Sequence, residues 1–314
     1  MDEQRRLTER DRWLIGLLAE HRVLTADEVA LLGFDSVARA RRRLRLLHER
    51  GVLARFRRCV RPGSQPWRYT LGPVGEAVYA AASGTPAPRA AKVVEKIARL
   101  AESPTLEHLL ATNRFFVALH AAARARAGCG LAQWGSARRT AETTGEYVRP
   151  DGYGHWYETD RDGRRRETRF FLEYDRGREN LPTVVGKLDR YQAMTAAGVN
   201  HPVLFVFGSP AREHHFLAQA VRAGWPRTLH VATSTDDWYL RVTGGPQGPG
   251  SGIAAATPGR PRAGDQSATG QRGHISPADR IWLPLAGTGA GAAAWRNLER
   301  GGDAWARRAL LDLD

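Results

Sequence analysis

Two acidic segments carry the clearest chemistry in this chain. One is Arg149-Pro150-Asp151-Gly152; the other, FFLEYD at 170–175, places Glu173 22 residues beyond Asp151. Successive side chains of a strand point to opposite faces, so Glu173 and Asp175 face the same way. If the strand carrying Asp151 lies alongside, three carboxylates converge at one edge of a sheet. Hard oxygen donors with open positions suit Mg²⁺ or Mn²⁺. Such an ion polarises a phosphate and activates water for phosphodiester hydrolysis. The apolar run before Glu173 predicts that these acids end a buried strand. A second reading stays open: Asp151 before Gly152 also fits a turn, and Glu173 fits a structural pair with Arg176 or Arg178. The domain would then bind without cleaving, and no cofactor would be needed.

The elements that must position these acids follow from periodicity. PTLEHLLATNRFFVALHAAARARAG predicts a helix, then LAQWGSA, YVRPDGYGHWYE and TRFFLEYD predict three strands. LPTVVGKLDRYQAMTAAG reads as a helix stopped by Gly198, and PVLFVFG as a short strand, apolar on both faces and so buried in a sheet. AREHHFLAQAVRAG and TLHVATS add a helix and a strand. The order α-β-β-β-α-β-α-β predicts a mixed sheet flanked by helices. His214 and His215 fall next to each other on a helix and so face different ways, which argues against a shared ligand role. His108 and Asn113 are expected to pack or cap. No GxxxxGK[ST] loop is present, which argues against an ATPase.

Upstream, residues 7–83 read as one unit. Thr8 with Asp11, and Thr25 with Glu28, have the spacing of helix-capping pairs. Ser36 opens a third helix, which Gly51 stops. VLARFRRCV and WRYTL flank the turn PGSQP as two strands. Helix, helix, turn, helix and hairpin is the order of a winged helix-turn-helix. Ten arginines and one acid, Glu49, lie between Ser36 and Arg61. With Val37, Ala40, Leu44 and Leu47 packed inward, Arg39, Arg42, Arg43 and Arg50 are expected to face a DNA groove. Arg57, Arg58, Arg61 and Arg68 are expected to reach phosphates from the wing.

Charge and composition agree with a polyanionic partner. Lys and Arg number 47 against 33 Asp and Glu, a net charge of +14 over 314 residues, and such a field attracts nucleic acid. Only Lys92, Lys96 and Lys187 are lysine. No stretch approaches the roughly 18 apolar residues of a membrane span, and the N-terminus has no apolar signal core. A cytoplasmic, nucleoid- or plasmid-associated location is expected. Cys59 and Cys129 alone make neither a disulfide framework nor a four-ligand zinc site.

Pro150-Asp151 and Glu173-Tyr174-Asp175 resemble the motif of the PD-(D/E)XK nuclease superfamily, with Asp175 standing where that family usually has lysine. Lysines of such sites migrate to the following helix, and Lys187 lies there. The resemblance implies Asp151, Glu173, Asp175 and Lys187 as catalytic residues. It implies Asp151, Glu173, Asp175 and Glu107 as metal ligands, with Mg²⁺ or Mn²⁺ as cofactor. Over about residues 8–235, the winged helix, LEHLLATNRFF, RPDG, FFLEYDRGRE and KLDRY resemble the replication-relaxation family of actinobacterial plasmids and mobile elements. The resemblance implies a role in plasmid replication and DNA relaxation. The expected fold class is mixed α/β: a winged helix-turn-helix at 7–83, a linker helix at 84–104 and a nuclease-like α-β-β-β-α-β domain at 105–243. A disordered stretch at 244–274 and a C-terminal segment at 275–314 complete it. The expected partner is double-stranded DNA, with no membrane. A homodimer on a symmetric site is compatible with this organisation, although no heptad seam is present. The alternative is a non-catalytic regulator or replication accessory protein on a degenerate nuclease fold.

Overall fold

The computed structural model describes residues 7–57, 65–145, 147–159, 162–225, 229–236 and a strand at 283–284. The 244–274 stretch, most of 275–314, and Arg58, Cys59 and Arg61 lie outside the described residues.

Helix α1 (Glu9–His21) starts on a reciprocal cap. The Thr8 hydroxyl accepts from the Asp11 N–H, and the Asp11 carboxylate accepts from the Thr8 N–H at 2.7 Å. Strand β1 (Leu24–Thr25) leads into α2 (Ala26–Gly33), whose Thr25–Glu28 box repeats the device. Helix α3 (Val37–Glu49) is capped by Ser36. Strands β2 (Leu53–Phe56) and β3 (Arg68–Leu71) form a hairpin, and β1 adds to β3 to give an antiparallel sheet of order β1-β3-β2. Leu14, Leu18, Val29, Ala40, Leu44 and Leu47 fill the core beneath. Each of these leucines and Val29 contributes roughly 1.5–3 kcal/mol on burial, and Ala40 less. Val37 departs from expectation: it is exposed, at the first position of α3. Helices α4 (Pro73–Ala82) and α5 (Ala90–Glu102) follow.

Helix α6 (Leu106–Ala125) precedes a sheet of order β4-β5-β6-β7-β8-β9. Its strands are β4 (Cys129–Ser136), β5 (Gly152–Thr159), β6 (Arg165–Asp175), β7 (Val203–Phe207), β8 (Val231–Thr235) and β9 (Leu283–Pro284). The first three form an antiparallel meander. β7 runs parallel to β6 and β8 parallel to β7, while β9 is antiparallel on the far edge. Helix α7 (Ala137–Thr144) fills the β4–β5 connection; α8 (Leu181–Ala196) and α9 (Pro210–Arg222) make the later crossovers. Alternation along β6 and β7 divides the core. Phe171, Val203, Phe205 and Phe207 pack with α8 and α9. Phe170, Leu172, Leu204 and Val206 pack with Phe115 and Phe116 of α6.

Gly152 opens β5 rather than a turn. A side-chain carbon there would come within 2.6 Å of the Phe116 ring, and one at Gly154 within 2.2 Å of Phe170. The glycine of RPDG therefore lets α6 lie close on the sheet.

Helix α6 also serves the first unit. Val117 joins its core, and the buried Asn113 amide donates to the carbonyls of His21 and Val23 at 3.0 and 2.8 Å. Arg124 donates to the Leu31 carbonyl at 2.7 Å. Trp134 of β4 stacks on His21 at 3.6 Å. Burial pushes the His21 pKa down to about 3, so its ring packs here as a neutral group.

Candidate functional site

The end of β6 holds Glu173 with its side chain on the α8 face. Extending the β5–β6 register (Gly152 opposite Leu172) by one residue puts Asp151 across from it. On α8, Lys187 and Tyr191 are four residues apart and so share a face. Lys187 Nζ donates to Glu173 Oε2 at 2.8 Å, and the Tyr191 hydroxyl donates to Oε1 at 2.6 Å. Asp151 Oδ2 accepts from the Tyr174 N–H, and Oδ1 lies 2.8 Å from His108 Nε2 of α6, both contacts at 2.8 Å. Glu179 approaches Lys187 at 3.1 Å.

The electrostatics follow from this crowding. Burial, and after it the Asp151 charge, push the Glu173 carboxyl up to about 7 against the pull of Lys187. Burial opposes charge on Lys187, but Glu173 outweighs it and holds the ammonium above its ordinary range. For His108, burial likewise opposes the charged form, and the contact with Asp151 reverses the balance and raises it.

Of the residues expected to act together, Asp151, Glu173 and Lys187 meet. Asp175 sits one step further along the same face but serves other partners: its carboxylate accepts from Arg212 Nε at 2.9 Å and from the Gly177 N–H at 2.6 Å. Glu107 accepts from Arg68 at 2.7 Å, toward the first unit. Among the described residues no group of three or more His, Cys, Asp and Glu is placed to hold a metal ion. Asp151 and Glu173 are the two carboxylates that would be left to hold an ion such as Mg²⁺, which takes one or two protein carboxylates and completes its shell with water and substrate phosphate. Each carboxylate oxygen of this pair already has a protein partner. His108, expected to pack or cap, instead pairs with Asp151 because α6 runs past the start of β5, and with Tyr191 it completes the cluster. Their sequence signals were faint: His108 adjoins Glu107, and Tyr191 follows Lys187 by one helical turn.

A second feature lies between α2, α3 and the hairpin. Arg41, Arg45, Arg55 and Arg57 line a cleft of about 420 Å³ together with Trp67 and Asp27. The Arg55 and Arg57 guanidinium groups each stand 4.3 Å from the Trp67 ring. Arg41 pairs with Asp27 at 3.1 Å. The expected basic face is thereby redrawn. Arg39 and Arg42 are exposed, Arg39 pairing with Asp35, and Arg50 is half-buried at the end of α3. Arg43 turns inward, because it borders the buried stripe of α3 and meets the Asp11 carboxylate, with Nε at 2.8 Å from Oδ1. Arg68, expected on the wing surface, is buried, because its position on the central strand β3 points it at Gln65 and Glu107. Sequence reasoning did not single out Arg41, Arg45 and Arg55. The i, i+4 spacing of Arg41 and Arg45 was the available signal.

By fold this is a mixed α/β protein, with a small antiparallel sheet under an arginine-rich helix and a larger mixed sheet carrying an Asp–Glu–Lys cluster. It belongs to the replication-relaxation family: a sequence model of that family matches residues 15–207, a span that takes in α3, Asp151, Glu173 and Lys187. Membership associates the chain with replication and relaxation. Comparison with curated proteins and with solved structures gives no match. No helix among the described residues is long and apolar enough to cross a membrane.

Proposed function

We propose that this chain binds duplex DNA through a winged helix-turn-helix formed by residues 7–83 and hydrolyses a phosphodiester at the Asp151–Glu173–Lys187 cluster. Its setting would be the cytoplasmic replication or relaxation of plasmid or mobile-element DNA. The observation that carries the reading is the 2.8 Å contact of Lys187 with Glu173, beside Asp151. It supplies from α8 the lysine that the motif lacks at Asp175. The β4–β5–β6 meander followed by α8 and parallel β7 is also the core order of PD-(D/E)XK nucleases.

In this mechanism Asp151 and Glu173 would hold Mg²⁺ or Mn²⁺, and the bound ion would supply Lewis-acid activation of phosphate and water. Tyr191 fixes the Glu173 carboxylate, and His108 fixes that of Asp151. Lys187 offers positive charge where the scissile phosphate gains negative charge. The arginines beside Trp67 hold the flanking duplex by its phosphates.

The test is incubation of supercoiled plasmid with the protein and Mg²⁺ or Mn²⁺, alongside an Asp151→Ala/Glu173→Ala variant. Relaxed or linear product from the wild type alone is expected. Intact DNA binding with no product under either metal would sink the hydrolytic reading. One observation favours the second reading, a DNA-binding protein without cleavage: Asp151, Glu173 and Asp175 all have protein hydrogen-bond donors already.

A further inference from the structure

Two residues further into the sheet from the acid cluster, after Asp151 on β5 and before Glu173 on β6, the same sheet face opens into a separate cavity of about 470 Å³. It is lined by Arg139 and Thr140 of α7, Tyr153 of β5, Phe171 of β6 and His201. The register explains the opening. Gly135, Tyr153 and Phe171 form one row across three strands, and Gly135 brings no side chain to it. Tyr153, Phe171 and His201 form a triangle of rings, with centroids 5.8, 6.0 and 5.6 Å apart. Burial, and then Arg169, push the His201 pKa down, so its ring enters as a neutral hydrogen-bonding group. Arg139 is exposed at the side.

Aromatic walls, a neutral imidazole and a flanking guanidinium match a planar heterocycle attached to a phosphate. Stacking on aromatic rings with backbone contact to Arg is how proteins hold unpaired bases. The position narrows the choice further. Tyr153 and Phe171 are each two residues from Asp151 and Glu173 on the same face, a separation of about 7 Å along a strand, comparable to the reach from a base to its own phosphate. An enzyme that must approach one phosphodiester closely gains by drawing the adjoining base out of the stack.

We propose that this cavity seats one unstacked nucleobase of the DNA strand whose phosphodiester lies at the Asp151–Glu173–Lys187 cluster. The assignment of the occupant to a strand rests on the hydrolytic reading above. Tyr153 and His201 contact the base, Phe171 forms the floor beneath it, and Arg139 takes the neighbouring phosphate.

The full chain is titrated, in metal-free buffer, with a single-stranded oligonucleotide carrying one 2-aminopurine, and separately with 2-aminopurine deoxynucleoside monophosphate. Stacking quenches this base. Saturable quenching of the oligonucleotide is expected, with its apparent affinity lowered about 5- to 100-fold by Tyr153→Leu. Arg139→Ala, on an exposed side chain that leaves the core intact, is expected to weaken it several-fold, with thermal melting as the control for folding. Absent quenching, or quenching equal in wild type and both variants, overturns the pocket. Equal affinity for the free monophosphate overturns the strand as occupant. Quenching needs neither metal nor turnover, so a failed cleavage assay leaves this readout intact. Cleavage by the wild type without such quenching removes the pocket and leaves the hydrolytic reading.

Discussion

Glu173 meets two opposed demands, since its backbone ends a buried strand while its carboxylate needs water or a cation. Its pKa in the folded chain is raised from 4.5 to about 7. Stability linked to this group is therefore full below its ordinary value and is lost as pH rises through about 7. His108, also raised, acts in the same direction: its contribution is full below 6.5 and fades as pH climbs through its raised value. Lys187 titrates above this window and leaves the sign unchanged. Glu173→Gln keeps the shape and removes the charge, so the variant should gain about 2 kcal/mol on wild type between pH 5 and pH 8. Urea unfolding at the two pH values checks this, and a difference that does not move with pH contradicts the burial argument. The acids themselves could be read from the chain, because RPDG and FFLEYD combine strand alternation with apolar neighbours. Their partners could not: the His108–Asp151 contact spans two elements distant in sequence, and no local pattern specifies it.

At the scale of the element, α3 has one face for the core and another for solvent, and its arginines divide accordingly. Arg43→Ala would leave the buried Asp11 carboxylate without its cation, at a cost of about 3 kcal/mol. The DNA affinity of the protein that still folds should stay close to wild type. Arg45→Ala combined with Arg55→Ala should do the reverse. Stability should fall by less than about 1 kcal/mol, while the slope of log affinity against log salt should drop by about 2. Melting curves and salt-dependent DNA titration separate the two classes, and an unchanged slope would move the DNA face elsewhere. Both capping boxes and the long amphipathic helices were legible because their signals are local. Strand β1 was not, because two residues carry no periodicity and Leu24–Thr25 is a strand only by pairing with β3. Helix α7 was hidden for a related reason: ARRTAETT is polar on most sides, and only its cap on Ser136 marks it. The inward turn of Arg43 also lay beyond the sequence, since it depends on where α1 crosses α3.

The whole molecule is organised around α6, which closes the first core with Val117, supports the sheet with Phe115 and Phe116, and pins the first unit through Asn113. Asn113→Ala would take the amide donor from the His21 and Val23 carbonyls, of which His21 keeps the Val23 N–H, at a cost of about 1–3 kcal/mol. Amide hydrogen exchange should then quicken around His21–Leu24 before it quickens in β6 or β7. Uniform acceleration across the chain would mean that the units do not separate in this way. Adjacent residues of α6 reach in opposite directions, Glu107 to Arg68 of the hairpin and His108 to Asp151 of the acid cluster. This has a bearing on inheritance. A recombination breakpoint in the 84–104 connection would join α6 to a foreign head whose carbonyls do not meet Asn113 and whose hairpin offers Glu107 no arginine. Heads and sheets of such chains are thus expected to descend as matched pairs, with changes at His21, Arg68 and Trp134 accompanied by changes along one side of a single helix.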